Sequence, residues 1–350
     1  MDPLAPGEFA TETTYLNTAA YGLPPARGIA AVRAVTDDWV TGRRAPIAED
    51  SRVAELRASF ARVLSGATAD DVAVGADVGA LIGPVAQSLP SGAEVLVADG
   101  DFASVPNPFR YRGDLQVRAV PLESLAAEVR PSTALVAVSS VQSSDGRSVD
   151  PVELRAATHA HGARLLFDVS QAAGWLPLSF ADADYWVCAT FKWLLGARSI
   201  GMFAVNPEAR ETIRPVSPGW YAAADRSAEI YAPLRLAEGA RRFDHTPDWL
   251  GVVAAVAGLE LIEELKVEAI GAHDRALADR FRSGLDGLGL PYVPGDSPIV
   301  SVPGASRFAR PLAAAGVVVT ERGGALRIAF HLHNGSADVD RALAVFARTR

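Results

Sequence analysis

The clearest pattern of apolar and polar positions runs from residue 165 to 205. Three short apolar runs, 165–169, 185–189 and 201–205, are each stopped by polar or glycine residues. Runs this short and this continuous predict buried strands of a parallel or mixed sheet, not helices. Residues 72–74, 95–98, 115–120 and 134–139 read as further strands. Helical patterns cover 26 to about 65, with a break around 42–46, then the stretch through Leu89, 122–129, and a helix opened by Asp150 as N-cap and Pro151 at the first turn. A long helical stretch follows from 250 to about 290. Strands at 298–302 and 316–320, the apolar segment starting at Ala325 and a helix from Asp338 complete the set. Residues 1–14 read as a flexible lead, and 15–25 are too rich in turn formers for regular structure. Strands alternating with helices predict an α/β fold.

Composition narrows the classes. The chain has 350 residues, 49% hydrophobic and 21% charged, enough for a large α/β domain with a smaller companion. A net charge of −8 gives no support for nucleic acid or an anionic membrane as partner. No apolar segment approaches the roughly 20 residues a membrane span needs. The acidic N-terminus lacks a signal peptide's basic start, so a cytoplasmic location is expected. Cys188, the single cysteine, leaves no intrachain disulfide and no multi-cysteine metal site. His159 and His161 are spaced onto different helix faces, so no metal is expected.

Candidate chemistry gathers at the ends of the central runs. The first ends near Asp168, and the second leads into Thr190, Phe191 and Lys192. Side chains at the ends of neighbouring strands face one crevice, where open α/β sheets bind ligands. A lysine and a carboxylate placed this way suit pyridoxal phosphate, which attaches to an amine and needs its ring nitrogen kept protonated. Spacing alone favours a turn-capping carboxylate and a solvated lysine. The apolar run before Lys192 and Trp193-Leu194-Leu195 after it argue against a solvated amine, because burying an unpaired lysine is costly. The small-residue turn at 75–80 offers backbone N–H groups of Ala76, Asp77 and Val78 to an anion, although the Asp77 carboxylate sits oddly there. Arg327, flanked by apolar residues, is not an idle surface cation.

The segments FDVSQAAG and CATFKWLLGARSIGMFAV resemble the cofactor-lysine region of the class V aminotransferase family, fold type I of the pyridoxal-phosphate enzymes. That resemblance implies a large domain with a seven-stranded mixed, mainly parallel sheet (26–249), a smaller C-terminal α+β domain (250–350) and an N-terminal active-site segment (1–25). It implies pyridoxal 5′-phosphate as cofactor on Lys192, with Asp168 at the ring nitrogen and Phe102 stacked on the ring. Gln171 and Gln142 would serve O3′ or the substrate, and Ala76, Asp77, Val78 and Thr190 the phosphate. Thr246 would reach the phosphate of a neighbouring subunit, making a homodimer. Arg327 would bind the α-carboxylate of a small-molecule amino acid, with Asn17, Ala19, Tyr21, Trp220 and Tyr221 around the substrate.

Two departures stand out. Phe191 replaces the histidine that cysteine desulfurases carry before the lysine, and Cys188 lies within a strand, badly placed to attack sulfur. Judged over RFDHTPDW, PGWY and LRIAFHLHN as well, the sequence is most similar to the hercynylcysteine sulfoxide lyases of ergothioneine biosynthesis. The implied reaction is C–S β-elimination yielding a sulfenate, pyruvate and ammonia. An aminotransferase or epimerase of the same class, and a non-catalytic binding protein of the same fold, are the alternatives.

Overall fold

The computed structural model of the chain describes residues 1–348. Seven strands form the central sheet: β1 (Val72–Gly75), β2 (Glu94–Ala98), β3 (Gln116–Val120), β4 (Thr133–Ser139), β5 (Arg164–Asp168), β6 (Tyr185–Ala189) and β7 (Gly201–Val205). Their spatial order is β1-β7-β6-β5-β4-β2-β3, and only β7 runs antiparallel to its neighbours. The expected mixed, mainly parallel sheet is therefore present.

Side chains alternate between two cores, as the two-residue period of a strand requires. Val72, Leu96, Val136, Leu165, Phe167, Trp186 and Cys188 enter one face. Ala73, Val95, Val97, Leu135, Leu166, Val187 and Phe203 enter the other. Both faces are covered, so the strands read as continuous apolar runs instead of alternating ones.

A second, three-stranded antiparallel sheet is built from β8 (Ile299–Pro303), β9 (Thr320–Arg322) and β10 (Ala325–Ala329), in the order β8-β10-β9. It carries its own core with Leu277, Phe281, Phe308 and Phe346. Residues 316–320 are thus not one strand. Val317–Val318 pairs with Thr14–Tyr15, and Thr320 turns into the other sheet.

Three further expectations are corrected. The lead is tied down, with Leu4 N–H donating to Leu332 O (2.8 Å) and the terminal amine to Ser336 Oγ (3.0 Å). The stretch 122–129 holds only a 3₁₀ turn, Leu122–Ser124, because Leu122, Leu125 and Val129 reach the core without a full helix. The stretch 250–290 is two helices, Trp249–Leu265 and Val267–Leu288, hinged at Lys266 with φ of 71°. The first packs Val252, Val256 and Leu259 into the large core, while the second carries Leu277, Phe281 and Leu285 into the small one. No helix is long and apolar enough to cross a membrane among the described residues.

Candidate active site

The C-terminal ends of β2, β4, β5 and β6 open into a cleft of about 530 Å³, closed on the far side by Arg327 of β10 and by Ala19 and Ala20 of the N-terminal segment. β6 delivers the chain to Lys192, which is 7% exposed. The loop after it is held tightly. Thr190 Oγ1 donates to the carbonyls of Ala197 and Ile200, both at 3.0 Å, and Gly22 N–H donates to Phe191 O at 2.8 Å. A side chain at Gly22 would place its Cβ 2.0 Å from Lys192 O, so only glycine fits there. Thr190 is fully buried, and its hydroxyl, spent on these two carbonyls, does not line the cleft as the phosphate role required.

The Lys192 Nζ lies 5.3 Å from the Phe102 ring centre and 5.7 Å from that of Phe191. Burial lowers its pKa, and the cations Arg327 and Arg198 push in the same direction against the pull of Asp168. Asp168, 3% exposed at the end of β5, is raised by burial, which the field of Lys192 only partly offsets. Its carboxylate accepts one amide, from Ser170 N–H at 2.8 Å.

At the opposite end, the helix Val78–Ser88 starts in the cleft wall, and Ala76, Asp77 and Val78 line it. The Asp77 carboxylate is the helix cap, accepting from Ala80 N–H at 3.0 Å. That resolves its odd placement, because a committed N-cap complements the exposed amides of the first turn. Phe102 lines the cleft beside Asp101, whose half-buried carboxylate accepts from Ser139 N–H (2.8 Å) and Phe102 N–H (2.7 Å).

Arg327 is 1% exposed. Its Nη1 donates to Ser143 O and, at 3.0 Å, to Ser143 Oγ, whereas the buried Nη2 has no partner. Burial, and secondarily Arg322, lower its pKa to about 10. A buried guanidinium with one edge fixed and the other vacant is shaped for a carboxylate.

Several expected residues stand elsewhere. Gln142 does not line the cleft. Its buried side chain turns back to Ser139 O at 3.2 Å. Its neighbour Ser143 takes the place, accepting from both Arg327 and Gln171 and so keeping its own O–H free to donate. Gln171 is spent on the scaffold: Nε2 donates to Ala19 O (2.9 Å) and Ser143 Oγ (3.1 Å), and Oε1 accepts from Trp193 Nε1 (2.8 Å). Asn17 is likewise committed, its Oδ1 accepting from Thr320 Oγ1. Tyr21 is half-exposed and packs on Phe191, with ring centres 5.1 Å apart.

Tyr221 is buried with its hydroxyl on Asp50, and Trp220 stacks edge-on against it, so neither reaches the cleft of its own chain. Thr246 is exposed beyond the segment that Asp244 pins to β1 through Val74 N–H (2.9 Å). Ser104, Ser144, Ser170, Arg198 and Arg322 line the cleft without having been singled out from sequence. Their only signal was position after a strand end or in a tight turn. No cluster of three or more potential metal ligands is present among the described residues.

Fold and cleft define a fold type I scaffold of the pyridoxal-phosphate enzymes. Residues 113–342, well over half of the chain, match the aminotransferase class-V family, and the chain belongs to that family. It is 29% identical over 244 residues to kynureninase from Deinococcus radiodurans, covering 65% of this chain and 58% of that one. A probable cysteine desulfurase from Pyrococcus abyssi is 28% identical over 161 residues, covering 45% and 39%. The chain thus spans about half the length of the curated relatives it matches. Among solved structures, a cystine C–S lyase complexed with cysteine persulfide superposes with a TM-score of 0.87 at 21% identity, covering 96% of this chain and 98% of that one. Cysteine desulfurase from Thermococcus onnurineus NA1 gives 0.85 at 20% identity, covering 96% and 94%. These structures share the fold.

Pyridoxal 5′-phosphate is the cofactor. The residues fit it: a buried amine on Lys192, a buried carboxylate on Asp168, the flat face of Phe102 and helix-terminal amides at Ala76–Val78.

Proposed function

We propose that the chain is a C–S β-lyase that cleaves hercynylcysteine sulfoxide, a cysteine S-conjugate sulfoxide, into a sulfenate, pyruvate and ammonia. The observation that carries this reading is Cys188. It is 1% exposed within β6, its side chain enters the core, and burial raises its thiol well above the usual range. A thiol held as S–H inside a sheet is no nucleophile. Without a protein sulfur acceptor, the sulfur group must leave by itself, and a sulfenate is a stable anion that can do so.

Lys192, Asp168, Phe102 and the Ala76–Val78 amides would hold the cofactor. When bound, pyridoxal phosphate supplies an electron sink for the carbanion at Cα. The half-vacant Arg327 takes the substrate's α-carboxylate, and the free Ser143 O–H supports the same end. Lys192, which burial biases toward the neutral amine, accepts the Cα proton. The C–H electron pair becomes the Cα–Cβ double bond, and the pair of the Cβ–S bond leaves on sulfur as the sulfenate. Water then converts the three-carbon remainder to pyruvate and ammonia. Asp168, buried near Lys192, would pair with the cofactor's ring nitrogen and keep it protonated. In this reading the enzyme is a homodimer. Thr246 supports it, with an exposed hydroxyl that has no partner among the described residues.

The test is to supply cofactor-loaded protein with hercynylcysteine sulfoxide and measure pyruvate. Release matching substrate consumption is expected. No pyruvate from fully loaded protein rejects the substrate, and amino transfer to an added keto acid would establish an aminotransferase instead.

A further inference from the structure

Arg327 can answer one carboxylate through the edge that carries its unpartnered Nη2, since Nη1 is held by Ser143. Five residues earlier, across the Gly323-Gly324 turn, Arg322 lines the same cleft. Arg322 makes no ion pair among the described residues, and its one hydrogen bond runs to Glu321 O at 3.2 Å. The adjacent acid does not neutralise it. Strand alternation sends Glu321 to the opposite side of β9, where it lines a separate groove with Thr13 and Ala309.

The two acids of the cleft wall are committed elsewhere, Asp77 to Ala80 N–H and Asp101 to the amides of Ser139 and Phe102. Arg198, Arg322 and Arg327 therefore line the cleft without an ion-pair partner among the described residues; Arg198 lies over the Phe191 ring (5.0 Å), and Arg322 is the cation whose field acts on Arg327. A substrate with only an α-carboxylate would leave Arg322 facing nothing.

We propose that Arg322 recognises a second carboxylate, at the far end of the substrate's side chain, and so selects cysteine conjugates that carry two carboxylates. This rests on the lyase reading above, whose substrate ends in the carboxylate of a histidine betaine. Arg322 is exposed, so its contribution is that of a solvent-screened pair, about fivefold in affinity.

Two measurements test the inference separately from the reaction. Titration of the loaded enzyme with L-2-aminoadipate and with L-norleucine, followed by the cofactor's visible absorption, compares binding with and without a distal carboxylate. We expect aminoadipate to bind about fivefold more tightly, the preference to vanish in Arg322→Ala and to survive in part in Arg322→Lys. Equal binding by the wild type, or an equal loss for both ligands in Arg322→Ala, overturns the proposal, the latter by showing that Arg322 shares the α-carboxylate. In turnover, the KM for S-(2-carboxyethyl)-L-cysteine sulfoxide should rise in Arg322→Ala while that for S-propyl-L-cysteine sulfoxide stays within about twofold. If hercynylcysteine sulfoxide gives no pyruvate yet the binding preference holds, the lyase reading fails and the second anion site stands.

Discussion

The two ends of the parallel strands hold buried charge in opposite ways. At the N-terminal ends Glu94 and Asp184 are saturated. Glu94, first residue of β2, accepts from Arg130, Arg118 and Thr133, and these bonds outweigh burial to bring it down to about 2. Asp184, just before β6, accepts from Arg155 (2.8 Å), Arg164 (3.0 Å), Asn206 (3.0 Å) and Leu165 N–H (2.8 Å). At the C-terminal ends Asp168 has one amide, and Lys192 has ring faces but no hydrogen bond among the described residues. Facing them, Arg327 keeps a vacant edge. Saturated charge clamps loops and strands. Unsaturated charge, maintained at a cost to stability, marks where a ligand completes the set.

The largest expected effect breaks the unsaturated end. Lys192→Ala should abolish the visible band of the loaded protein and lower pyruvate release by at least about 10³-fold, within the range that acid–base groups contribute. Circular dichroism should stay native, and a retained rate would sink the assignment. The saturated end should respond the other way. Asp184→Ala removes the acceptor of two arginines, the Asn206 amide and the Leu165 N–H, and should lower unfolding free energy by about 3 kcal/mol in urea titration with kcat unchanged.

Asp168→Asn sharpens the contrast between buried carboxylates. Turnover should fall about 10²-fold, while stability holds or rises because an under-paired buried charge is removed. A loss of stability as large as that of Asp184→Ala would dissolve the distinction.

The smallest effect is a pH dependence set by His333. Burial, with His331 adding to it, lowers its pKa to about 4, and its Nε2 donates to Tyr15 O at 3.1 Å. A base depressed on folding contributes stability that is present above its ordinary pKa, near 6.5, and lost as pH falls toward 4. Thermal melts between pH 7 and 4 should lose up to about 1.4 kcal/mol per pH unit from this group. His333→Gln, which keeps a donor for Tyr15 O, should flatten that slope. An unchanged slope removes His333 as its source.

Much of the fold was legible because both faces of the sheet are covered, so each strand is a short apolar run with sharp edges. Lys192, Asp168, Phe102 and Arg327 were legible because each combines an unusual residue type with a strand end or an apolar setting. Helix–helix hinges and the lead were not. Lys266 bends the chain by adopting a left-handed backbone that no residue type there announces, and residues 1–14 are held by partners more than 300 positions away.

The chain's own pattern of apolar runs, and the polar residues that end them, determined which strands form and which side chains emerge at one edge. Only tertiary packing decided which of those side chains are free to act. Gln142 and Gln171 spend their amides on the scaffold and Thr190 its hydroxyl, whereas Ser143 keeps its donor. Tyr221 is sealed against Asp50, and Arg322 is left facing Arg327's cleft. The physical reason is that a polar group serves a ligand only after every nearby protein partner has been counted, and those partners come from distant parts of the sequence.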